Sequence, residues 1–273
     1  MSKLLAYASL ALVASLALVG VAVGAGGSST VRGSATLPAG TSGPGLAKAT
    51  AKCNHGRPEA IGLEIPQIES VAALGQRLRR RAGFRVDAIN YGSAGSSVGV
   101  IGYCNDNAGP LVARKHTVTI PSDSPTTDGS VVGARCRKGE RLAFGGFELA
   151  RADDTNVYVG SQKRDGRSWV TEAINFEDPA RVTSIAYCAE RWRRLSTERR
   201  SVIVGPDSAA RLKVDCPAGE RAYSGGYRGE VTWSDAFVLL RAMKRTADGG
   251  WRVSVVNENP SASGKLTAYA YCG

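Results

Sequence analysis

The chain has 273 residues, 43% of them hydrophobic, and a formal net charge of +11. That is long enough and apolar enough for a globular core. The basic balance suits acidic envelope polymers, anionic headgroups or nucleic acid as partners. Past the N-terminal run no segment is apolar enough to cross a bilayer, which excludes a multi-span helical membrane protein.

The first element is an export signal. Lys3 precedes an apolar run from Leu4 to Val23, followed by small residues suited to cleavage near 24–26. Residues 1–25 are therefore read as a signal peptide. An uncleaved anchor is the alternative, because about twenty apolar residues can span a bilayer. Either reading places the rest of the chain in an oxidising exterior, secreted or held at the cell envelope.

Three copies of one pattern follow, over 30–104, 112–188 and 198–273. Each opens with a short β-prone run broken by Pro or Gly, at Pro38-Ala39-Gly40, Pro121 and Gly205-Pro206. A second run leads into Cys-x-x-Gly, at Cys53 to Gly56, Cys136 to Gly139 and Cys216 to Gly219. Copies two and three then carry Gly145-Gly146 and Gly225-Gly226. Gly within a strand predicts a bulge or a close backbone approach. An aromatic residue precedes Asn by six positions, as Phe84/Asn90, Trp169/Asn175 and Trp251/Asn257. Each Asn is expected to shape the turn before the last strand. The copies close at Tyr103-Cys104, Tyr187-Cys188 and Tyr271-Cys272. Copy one lacks the Gly-Gly pair, and its Val71 to Arg81 reads as either a helical excursion or a basic strand and loop.

A period of about eighty residues organises the whole chain. The six cysteines allow fifteen pairings. One staple per copy is the scheme that lets all copies share a fold, predicting Cys53–Cys104, Cys136–Cys188 and Cys216–Cys272. Zinc is the rival, but its usual Cys-x₂₋₄-Cys spacing does not occur. The expected fold is all-β, with three homologous disulfide-stapled units in a pseudo-threefold, β-prism-like assembly with one sheet per copy. Three small sandwiches in tandem are the rival.

Copy three, with Cys216-Pro-Ala-Gly, Gly225-Gly226, Trp251 to Asn257 and Ala270-Tyr-Cys, resembles a module of secreted proteins of high-GC bacteria. That module reads Cys-Pro-x-Gly … Gly-Gly … Gly-Trp-x-Val … Asn … Tyr-x-x-Cys. The resemblance covers nearly the whole chain past the signal and implies secretion more than chemistry. Related modules beside collagen-like repeats imply association in threes.

Neither His55 nor His116 sits in a nucleophile or metal motif, and no Gly-x-Ser-x-Gly or His-Glu-x-x-His occurs. The chain is therefore expected to be non-catalytic, with no metal and no cofactor. Two basic runs are the candidate ligand contacts. One is Arg77, Arg79, Arg80 and Arg81. The other is Arg191, Trp192, Arg193, Arg194, Arg199 and Arg200, where an aromatic among arginines could grip sugars or headgroups. The expected function is a secreted or envelope-associated binding module for anionic polymer or glycan, with nucleic acid an unlikely ligand outside a cell. A passive structural protein and a carbohydrate hydrolase are the alternatives.

Overall fold

In a computed structural model, the described residues are 27–40, 45–66, 71–79, 83–121, 130–149, 157–176, 178–230 and 238–273. The expected signal segment, Arg80 and Arg81 lie outside them. The described residues hold eighteen strands and no helix. Copy one supplies β1 (Ser28–Leu37), β2 (Gly45–Lys52), β3 (Arg57–Glu64), β4 (Val71–Arg79), β5 (Gly83–Asn90) and β6 (Ser96–Asn105). Copy two supplies β7 (Val112–Ile120), β8 (Ser130–Arg135), β9 (Arg141–Leu149), β10 (Val157–Asp165), β11 (Ser168–Asn175) and β12 (Ala180–Ala189). Copy three supplies β13 (Ser196–Val204), β14 (Ser208–Val214), β15 (Ala222–Glu230), β16 (Val238–Arg245), β17 (Trp251–Asn257) and β18 (Gly264–Cys272). The segment from Val71 is thus a strand, not a helical excursion.

The strands form three six-stranded sheets, and the expectation of one sheet per copy is corrected. Sheet I runs β1-β6-β3-β16-β17-β14, sheet II runs β2-β5-β4-β9-β12-β7, and sheet III runs β13-β18-β15-β10-β11-β8. Each sheet joins three strands of one copy to three of another. Each copy is a corner where two half-sheets pack face to face, so every copy is also a small sandwich. The physical reason is edge pairing. A three-stranded half-sheet leaves the third or fourth strand of a copy open, and in each sheet a third strand is closed by the fourth strand of another copy, as β3 by β16. The third strands β3, β9 and β15 touch one another, as do β4, β10 and β16. They mark the pseudo-threefold axis.

The three disulfides pair as expected: Cys53–Cys104, Cys136–Cys188 and Cys216–Cys272, with Cα atoms 5.8, 5.7 and 5.6 Å apart. Each joins a different pair of sheets, because one cysteine follows the second strand of its copy and the other lies in the sixth. Closing loops of about fifty residues is worth roughly 4 kcal/mol each on the chain-entropy model. The glycine of each Cys-x-x-Gly turn takes a positive φ, 72° at Gly56, 91° at Gly139 and 83° at Gly219, which a side chain would resist.

The Asn of each copy locks the opposite end. Asn257 Nδ2 donates to Val204 O, Gly205 O and Ala262 O at 3.2, 3.0 and 2.7 Å. Asn175 reaches Ile120 O, Pro121 O and Asp178 O at 3.3, 3.1 and 2.8 Å. Asn90 reaches Pro38 O and Ala94 O at 2.9 and 2.8 Å. The expected turn role stands, and it also ties the turn to the Pro/Gly corner fifty residues upstream.

Candidate functional site: a cationic end and an asymmetric seam

The strand directions gather the cysteine turns, the inter-copy linkers and the C-terminus at one end of the prism. Gly273 lies beside Arg194, and Gly109 beside Arg191. Exposed cations crowd this disulfide end: Arg137, Lys138, Arg141, Arg167, Arg191, Arg193 and Arg194. Acids are fewer there, and several are engaged. Glu140 takes Arg114, while Asp215 and Asp248 share Lys213. At the opposite end the described loops, 38–40, 65–66, 91–95, 178–179, 205–207 and 258–263, hold Asp178, Asp207 and Glu258 and no Lys or Arg. Among the described residues the loops of the two ends therefore differ in charge, although exposed Arg181 adjoins the acidic loops and Arg241 pairs with Glu258 at 2.7 Å. Sequence reasoning missed this difference.

The two basic runs fare differently. Arg191 and Arg194 are exposed as expected. Arg193 stacks on the Tyr223 ring with its guanidinium carbon 3.9 Å from the centroid. Trp192 is 6% exposed, and its carbonyl accepts a bond from Arg141 Nη1 at 2.6 Å. As a ligand contact it is therefore corrected: the linker folds its indole into the core. Arg199 and Arg200 lie on the exposed edge strand β13, not in the linker, and Arg200 Nη1 donates to Lys213 O at 3.3 Å. Arg77 is half-buried and already paired, to Asp87 at 2.8 Å and Glu148 at 3.4 Å. Arg79 is exposed and has no acidic partner among the described residues.

The seams between copies carry a repeated clamp. Among the described residues each seam has two residue pairs in register, such as Ala242↔Glu64 and Met243↔Leu63, and the Ile65 N–H adds a bond to Arg241 O at 2.7 Å in the seam of copies one and three. The tyrosine of Tyr-Cys reinforces this short ladder. Tyr103 Oη accepts from the Arg245 N–H at 2.7 Å, Tyr187 from Leu78 at 2.7 Å and Tyr271 from Arg164 at 2.5 Å. To pass over the third strand, each tyrosine exploits a bulge, at Glu59, Ala143 and Tyr223. Burial pushes the Tyr187 and Tyr271 phenols well above the ordinary tyrosine range.

Copy one and copy three meet through a buried ion cluster. The Glu59 side chain is 1% exposed and holds Arg245 at 2.9 Å and Arg221 at 3.1 Å. Asn105 Nδ2 adds a bond to Glu59 at 3.0 Å, so the carboxylate is fully engaged. Cys136, Glu140 and Cys188 also cluster closely. The two cysteines are each other's disulfide partner, so no thiolate is available to a metal there.

The seam between copies one and two differs from the others in its side chains, although a second groove, of about 610 Å³, lies against the seam of copies one and three, lined by Glu64, Arg211, Ala242 and Lys244 among others. At the seam of copies one and two a groove of about 500 Å³ opens, lined by Arg57, Leu78, Arg79, Leu111, Ile185 and Tyr187 among others. Comparing the copies would have exposed it in the sequence, since Leu78 stands where the other copies have Arg164 and Arg245. No protein-family model matches this chain, and no curated protein matches it in sequence.

Proposed function

We propose that the protein is a non-catalytic extracellular module that holds anionic cell-envelope polymer or acidic glycan against its disulfide end. The observation that carries this reading is the axial charge asymmetry. Arg137, Lys138, Arg167, Arg191 and Arg194 project from one end, while the charged residues in the described loops of the other are Asp178, Asp207 and Glu258, the last paired with Arg241. Charges of one sign gathered on one face attract a polyanion far more than the same charges scattered. Three intact disulfides are compatible with an extracellular location. Many weak contacts along a polymer gain by avidity, so no deep pocket is required.

The test is co-sedimentation of the mature chain with isolated bacterial envelope across a salt series. Retention should fall as salt rises, since exposed charge pairs are screened beyond about 10 Å at 0.1 M ionic strength. The quadruple variant Arg137→Ala, Lys138→Ala, Arg191→Ala, Arg194→Ala should lose most retention and flatten the salt dependence. Retention unchanged in that variant refutes the assignment. No retention of the unmodified chain would favour a passive structural role.

A further inference from the structure

The groove between copies one and two exists because the pseudo-threefold repeat is broken there by small side chains. Across the other two seams an arginine lies where copy one has Leu78. The Arg245 guanidinium covers the Tyr103 ring at 4.4 Å. Arg164 bonds Gly166 O at 3.0 Å and Leu195 O at 3.4 Å. Leu78 can do neither. The linker repeats the change. Five residues past its copy's last cysteine, copy two leads into copy three with Arg193, stacked on Tyr223. The same count from Cys104 reaches Gly109, and the place of Tyr223 is taken by Ala143. Side chains that fill one seam are thus absent from the other.

The resulting groove has an apolar floor and a cationic rim. Leu78, Leu111, Ile185 and the Tyr187 ring line the floor. On the rim, Arg77 and Lys115 are tied to Glu148, at 3.4 and 3.3 Å. Arg57 and Arg79 are exposed and have no acidic partner among the described residues. Its volume lies within the roughly 300–1,000 Å³ range of small-molecule sites. We propose that this groove binds a small amphiphile, with an apolar chain along Leu78, Leu111 and Ile185 and an anionic head between Arg57 and Arg79. The charge of the rim selects the anion, and the apolar floor excludes a bare inorganic ion as the full ligand. This site goes beyond the polymer reading and uses different residues, so the two can fail separately.

The repeat itself supplies the test. Leu78→Arg installs the residue that already folds at both other seams, and Gly109→Arg installs the one found in the second linker. Decanoate, kept below its micellar concentration, should bind the full mature chain saturably at one site by calorimetry. Leu78→Arg should weaken it at least tenfold, and Gly109→Arg should do likewise at an unchanged melting temperature. Arg57→Ala with Arg79→Ala should cost about tenfold for decanoate, as charge-assisted bonds are lost, and leave decan-1-ol unaffected. Undiminished decanoate binding in folded Leu78→Arg or Gly109→Arg overturns the site, as does no saturable binding at all. Decan-1-ol binding as tightly as decanoate overturns the anionic head.

Discussion

At the scale of single residues, the Gly-Gly pair is a packing device. A Cβ on Gly145 would fall inside the Trp169 ring, and one on Gly225 inside the Trp251 ring. Copy one solves the same problem on the neighbouring strand. There Ile61 pairs with Gly102, where copies two and three pair Gly145 with Ala186 and Gly225 with Ala270. A Cβ on Gly102 would strike Phe84. The vacancy under the aromatic has moved across the ladder with the smaller ring. Gly225→Ala should therefore destabilise by about 1–3 kcal/mol through overpacking, read as a lower midpoint in chemical denaturation. Gly102→Ala should do the same, whereas Ala270→Gly, beside an existing vacancy, should cost only about 1 kcal/mol. The absence of a Gly-Gly pair in copy one is legible in its sequence. The compensation is not, because Ile61 and Gly102 lie forty-one positions apart and only the register brings them together.

At the scale of elements, the clamp from the sixth strand of one copy to the fourth of another holds each seam. Its logic is that two registered pairs make a short ladder, and a buried N–H without an acceptor costs about 1–3 kcal/mol. Tyr103→Phe should thus lose roughly that amount by orphaning the Arg245 N–H, and Tyr187→Phe a similar amount at the other seam. A stability loss below about 0.5 kcal/mol in both would show that the tyrosine rings, not their hydroxyls, secure the joints. The strands and the disulfide scheme were readable from alternation and repetition. Seam chemistry was not, since a Tyr-Cys motif gives no hint that its hydroxyl reaches into another copy. The Trp192 assignment failed for a related reason. Flanking arginines mark the linker as exposed, yet a single indole in it can turn inward.

At the scale of the whole molecule, the sheets close a ring: copy one pairs with two, two with three and three with one. A copy alone presents two open half-sheets whose third and fourth strands each lack a neighbour on one side. Residues 198–273 expressed alone should therefore yield no folded monomer, by near-ultraviolet circular dichroism and sedimentation. A cooperative, monomeric unit would contradict the shared-sheet architecture. The sequence showed that there are three equivalent units. It could not show that they exchange sheet edges, because the pairing of a strand depends on partners that periodicity does not name. The start of β1 has a further consequence. Ser28 pairs with Asn105, so the chain enters the prism at the same end as the cysteine turns and the exposed arginines. A membrane tether retained ahead of Ser28 would act as a short leash. It would point the positive pole inward at the anionic leaflet and leave the acidic pole facing away, so cleavage would decide which way the molecule looks.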